Sequence, residues 1–95
     1  MKLEWDENKR RSNLRKHGLD FHNAPWVLES DIRFDLESHR GGQQRTQSIA
    51  YVYDQLAVLT VVYVQGDAAR IVSFRKASTR ERTTYHEWLA EEDDT

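Results

Sequence analysis

The 95-residue chain contains no cysteine. That excludes a disulfide framework and any thiolate metal site. One proline and four glycines leave few places where regular structure must break. No apolar run follows Met1-Lys2-Leu3-Glu4, so the start does not read as a signal peptide. The longest apolar stretch lies near Leu56–Val64 and is too short to span a bilayer. There is no HExxH, GxSxG or glycine-rich nucleotide loop, and the four histidines lack metal-ligand spacing. Asp31 and Asp35 lie on the exposed side of one strand, which reads as solvation rather than a metal site. The expectation is a cytoplasmic protein that uses no cofactor, no metal and no membrane.

Aromatics and charge are what the chain does have. Three Trp, four Tyr and three Phe are too many for a disordered chain, although only 38% of residues are hydrophobic. The length fits a single domain, residues 1–95, with a modest core. The formal net charge of −2 conceals segregation. Lys9, Arg10, Arg11, Arg15 and Lys16 form one basic block, and Arg70, Arg75, Lys76, Arg80 and Arg82 another. Acid gathers at Glu29, Asp31, Asp35 and Glu37 and in the tail "EEDDT". Such separation suits a basic surface that meets an anion.

The periodicities give an α+β order. Residues 2–5 read as a short strand. Asp6 caps a helix that ends at Gly18, with Leu14 as its one strong hydrophobe and Asn13 and His17 near the same face. A second helix is expected from Asp20, with Phe21, Ala24, Val27 and Leu28 as its stripe and Pro25 awkwardly placed. "DIRFDLES" alternates as a half-buried strand, and "HRGGQQ" reads as a flexible loop. "RTQSIAYVY", "LAVLTVVYV" and "ARIVSFRK" complete an antiparallel meander of about four strands. Ser78 and Glu81 form a capping box for a last helix whose Tyr85, Trp88 and Leu89 share one face.

The basic exit of the last strand carries the strongest chemical signal. Arg75 and Lys76 meet a helix start, and Arg80 and Arg82 follow in its first turns. Cations there are costly unless an anion compensates, and backbone N–H groups at a helix start favour phosphate. Strict alternation puts Arg70 and Arg75 on opposite faces of the strand. RNA hydrolysis through the 2′-hydroxyl needs proton carriers and cations but no metal. The proton-carrier candidates are His17, His39, Glu81, Tyr63 and Tyr85. His39 stands out beside Arg40 and the Gly-Gly pair, whereas His22 and His86 read as ordinary surface residues.

Two segments resemble the BrnT toxin family. "EWDENKRRSNLRKHGLDF" matches its N-terminal signature at Trp5, Asp6, Lys9, Asn13, Lys16, His17, Gly18 and Phe21. "RIVSFRKASTRERTTY" resembles its C-terminal signature at Arg70, Ile71, Ser73, Arg75, Ala77, Arg80, Glu81, Arg82 and Tyr85. Gln43, Gln44, Ala50 and Pro25 depart from the family pattern. The resemblance implies a RelE-like fold: an antiparallel sheet with two N-terminal helices and a C-terminal helix. It implies a metal-independent endoribonuclease that inhibits translation. The implied partner is a BrnA-type ribbon-helix-helix antitoxin, which would form a hetero-oligomer with the toxin and carry any operator-DNA contact. By the same resemblance the catalytic candidates are Arg70, Arg75, His39 and Arg45. The RNA-binding candidates are Lys76, Arg80, Arg82, Lys9, Lys16 and Tyr85. The alternative is a catalytically inactive toxin-fold protein that binds protein or nucleic acid, or an unrelated small RNA-binding module.

Overall fold

In the computed structural model, which describes residues 1–93, a two-residue strand β1 (Leu3–Glu4) opens the chain. Asp94 and Thr95, the end of the acidic tail, lie outside the described residues, as does the side chain of Asp93. Asp6 caps helix α1 (Glu7–His17), its carboxylate accepting from the Asn8 and Lys9 N–H groups at 2.8 and 3.1 Å. Gly18 ends α1 at φ 71°, a left-handed geometry that glycine adopts without strain.

The second helix is shorter than its apolar stripe implies. Asp20 caps a 3-10 turn over Phe21–Asn23, and α2 covers only Pro25–Leu28. Pro25 occupies the first turn of α2, where its missing N–H removes no helical bond. Phe21, Ala24, Val27 and Leu28 are all buried, as the stripe requires.

The strands β2 (Phe34–Arg40), β3 (Gln43–Val52), β4 (Ala57–Val64) and β5 (Ala69–Lys76) form the antiparallel meander. β1, the short strand expected at residues 2–5, joins the sheet as a fifth strand beside the four of the expected meander. It lies parallel to β5, and the sheet order is β1-β5-β4-β3-β2. The glycine-centred segment is not a loose loop. Only Gly41 and Gly42 turn the chain, with φ of 60° and 76°, and Arg40 pairs directly with Gln43. Two consecutive positive φ values make the tight hairpin turn that matches strand twist.

α1 lies along the edge of β5, where Asn13 bonds the Phe74 backbone, while one sheet face packs on α2 and the 3-10 turn before it. Phe21, Val27, Leu59, Val61, Ile71 and Phe74 are buried there, with Leu3 and Trp5 against them. The other face lies under α3 (Thr79–Asp93), where Ile49, Val58 and Tyr85 are buried and Phe34 stacks on Trp88 at 5.1 Å. Tyr85 is fully buried. Its hydroxyl donates to the Ile32 carbonyl at 2.6 Å and accepts from the Tyr51 N–H at 3.1 Å.

Two details of β5 depart from the sequence expectation. Val62 pairs with Ser73 while Tyr63 pairs with Ile71, so Val72 is an extra residue. This bulge resets the alternation. Arg70 and Arg75 therefore share the α3 face, while Ile71 and Phe74 point into the opposite core. The second departure concerns how α1 is held. Leu14, the expected apolar anchor, is 39% exposed, whereas Asn13 is 8% exposed. The Asn13 amide donates to the carbonyls of Leu19 and Phe74 at 2.9 and 2.7 Å and accepts from the Phe74 N–H at 3.1 Å.

Candidate functional site

The β2–β3 turn fixes which side chains meet on the α3 side of the sheet. Ser38 pairs with Arg45 and Arg40 with Gln43, so Arg40 and Arg45 share a face. Together with Arg75, Ser38, Gln47 and Ser73 they line a hollow of about 200 Å³. The bulge residues Val72 and Ser73 form its rim and also line a second hollow of about 280 Å³. That second hollow lies against α1 and is walled by Lys9, Ser12, Lys16 and His17. One groove thus passes over the bulge, with two lysines on one side and three arginines on the other.

Arg45 is the least satisfied group in it. Its Nε is buried and has no hydrogen-bond partner in the structure. A buried donor without an acceptor is unfavourable by about 1–3 kcal/mol, so Arg45 is held in the hollow's wall with an unmet hydrogen-bonding capacity.

Arg75 is differently held. Its guanidinium donates to both Glu81 carboxylate oxygens, at 2.7 and 3.0 Å. Glu81 also accepts from the Ser78 N–H at 2.8 Å, and the Ser78 hydroxyl accepts from the Glu81 N–H at 3.1 Å. The capping box is therefore present, and the anion at the start of α3 is the chain's own carboxylate. The Arg75 bonds hold the Glu81 carboxyl well below the carboxylate range, at about 2. Glu81 stays ionised at neutral pH and fixes the orientation of Arg75.

The pair predicts an acid limit to stability. The Glu81 carboxyl titrates lower folded than unfolded, so its contribution is full above pH 4.5 and fades as the pH falls towards about 2. Glu81→Gln is expected to lose about 2 kcal/mol at neutral pH and much less near pH 2.5. Urea midpoints of parent and variant at both pH values check this, and an equal deficit at both would contradict it.

A scan against family models matches residues 5–81 to the family described as ribonuclease toxin, BrnT, of type II toxin–antitoxin system. The chain belongs to this family. Among solved structures it is similar to the Brucella abortus ribonuclease toxin BrnT, with 29% identity and a TM-score of 0.64. The likeness covers 83% of this chain and 99% of that one. No curated protein sequence matches. Membership in the BrnT family makes the chain a ribonuclease toxin, with RNA as substrate and an antitoxin as partner. The fold is mixed α+β, like that of BrnT, with five strands where the sequence reading gave about four.

Within the BrnT-type fold the expected site residues separate. Lys9 and Lys16 line the α1 hollow, and Arg45 and Arg75 the sheet hollow. Arg70 is exposed on the same face as Arg75 but roughly 15 Å along the strand. His39 pairs with Gln44, and Gln44 lines a different hollow with Glu37, Thr46 and Gln65. Strand alternation puts that hollow and His39 on the face opposite Arg45. Lys76 pairs with the core residue Leu59 and likewise faces away from Arg75. Arg82 folds back onto the Ala77 carbonyl and the Thr79 hydroxyl, at 3.0 and 3.2 Å. Arg80 is exposed in the first turn of α3. Tyr85, an RNA-binding candidate that also shares the sheet-packing face of α3 with Trp88 and Leu89, lies in the core with its hydroxyl already engaged. Arg40 was not singled out. The Gly41-Gly42 turn signal carries it, because a two-residue turn dictates that residues 40 and 45 share a face.

Proposed function

We propose that this chain is a metal-independent endoribonuclease that halts translation by cutting RNA, and that a BrnA-type ribbon-helix-helix antitoxin neutralises it. The carrying observation is the orphan Arg45 Nε in a hollow shared with Arg40 and Arg75. Guanidinium groups suit the flat, forked oxygens of a phosphodiester. Fixed donors aimed at one spot also stabilise the extra charge of a pentavalent phosphorus without reorganising. Arg45 and Arg75 contact the scissile phosphate, and Arg40 supports them. Lys9 and Lys16 hold the strand on the far side of the bulge, and Arg70 guides its exit.

The chain acts in the cytoplasm, touches operator DNA only through the antitoxin, and forms a hetero-oligomer with it. No described helix is long and apolar enough to cross a membrane.

Cleavage of a single-stranded RNA by the purified chain is expected to persist in excess EDTA. Binding is expected to weaken with salt at a log–log slope of about −3 to −4, as four to six phosphate contacts require. Loss of cleavage in EDTA that a divalent cation restores would overturn the metal-independent mechanism. Binding with no cleavage in any buffer would favour the inactive toxin-fold alternative, for which the masking of Arg75 by Glu81 is the supporting feature.

A further inference from the structure

Protons must move during the cleavage proposed above, and the structure narrows the groups able to move them. His39 lies on the opposite face of the β2–β3 hairpin. His22 is tied to Asp20 at 2.8 Å, and His86 is exposed on α3. Both bonds of the Tyr85 hydroxyl are internal, and the Tyr63 hydroxyl is bonded to buried Ser48 at 2.9 Å. Glu81 is occupied by Arg75 and by its own helix cap. His17 remains. It sits in the last turn of α1, lines the groove beside Ser73, and has no hydrogen bond from its ring to the protein.

We propose that the His17 imidazole is the general base of this ribonuclease, an assignment that rests on the cleavage reading above. One ring nitrogen takes the 2′-hydroxyl proton, and the freed oxygen attacks phosphorus. The bond from phosphorus to the 5′-oxygen breaks, and that oxygen takes a proton from water. The products are a 2′,3′-cyclic phosphate and a 5′-hydroxyl. The imidazolium then returns its proton to the hydroxide left by that water.

The charges facing His17 support this role. Lys9 and Lys16 share its hollow from α1, and Arg75 acts on it from β5. Burial, then Lys16 and Arg75, lower its pKa below the usual 6.5, so the ring is neutral and able to accept a proton at pH 7. Arg75 thereby has two tasks, holding phosphate and keeping its neighbour uncharged.

The test uses a fluorescent single-stranded RNA in EDTA, with its 2′-O-methyl analogue to measure binding. His17→Ala and His17→Gln are expected to cut about 10²-fold more slowly while binding the analogue within a few-fold of the parent. Added imidazole is expected to restore part of the His17→Ala rate. The acid limb of the parent kcat/KM profile, lying below pH 6.5, is expected to disappear in both variants. If the variants fold poorly, ring NMR of the parent decides: the analogue is expected to shift the His17 signals and not those of His22 or His86. Undiminished cleavage in the variants, loss of binding in step with cleavage, or an unmoved His17 ring would overturn the assignment alone. A parent that cuts nothing would overturn the nuclease reading, and the assignment with it.

Discussion

Arg45→Ala is expected to lower RNA cleavage by about 10²- to 10³-fold while leaving the fold as stable as the parent, or slightly more so. The two halves of that expectation have one origin. The Arg45 Nε is buried without an acceptor, so the folded chain gains nothing from that N–H until a substrate arrives. On the proposed mechanism, removing it takes away transition-state stabilisation and no internal bond. Arg75→Ala should match it in activity yet differ in stability, because it strands the Glu81 carboxylate that Arg75 holds at 2.7 Å. Arg45→Lys should recover little, since an ammonium cannot reproduce the planar fork. Steady-state cleavage and thermal melting of the three variants make the comparison. Full activity in Arg45→Ala would remove the basis for the proposed phosphate site.

Asn13→Ala is expected to cost about 3 kcal/mol. β1 pairs with β5 only at Ala69 and Arg70, so the outer edge of β5 is open beyond that point. At Phe74 the Asn13 amide satisfies both the N–H and the C=O, as a neighbouring strand would. It also binds the Leu19 carbonyl, closing the turn after α1. Three bonds would be lost in a site that is 8% exposed, leaving buried backbone groups without partners. Urea unfolding measures the loss, and a deficit under about 1 kcal/mol would refute this account. RNA affinity should fall as well, because the same helix carries Lys9, Lys16 and His17.

These two residues show where sequence reading succeeds and where it stops. The range Ala69–Lys76 of β5 and the Ser78–Glu81 cap were legible, because β-branched runs and capping boxes are local signals. Asn13 reads as lying near the contact face of α1, but its bonds to Phe74 are not legible until the bare strand edge beside it is known. The Val72 bulge was equally hidden. "ARIVSFRK" alternates smoothly as text, and only the pairing with β4 shows that one residue is extra. Without the bulge Arg70 and Arg75 fall on opposite faces, and the groove cannot be inferred. The basic cluster at residues 75–82 is visible in the sequence, but where each side chain goes is not. Arg75 lines the groove, while Arg82 folds back onto its own helix start. Pro25 reads as kinking or delaying the second helix, and the structure shows the delay: α2 starts at Pro25, after the 3-10 turn.

The groove has a consequence for the molecule between encounters. Lys9, Lys16, Arg40, Arg45 and Arg75 crowd onto one side of a 95-residue chain, with Glu81 bonded to one of them. Mutual repulsion and an unmet donor work against the solitary fold, and any polyanion seated there relieves both. The toxin is therefore at its most fragile when unaccompanied, and whatever occupies its cationic side also guards it against unfolding.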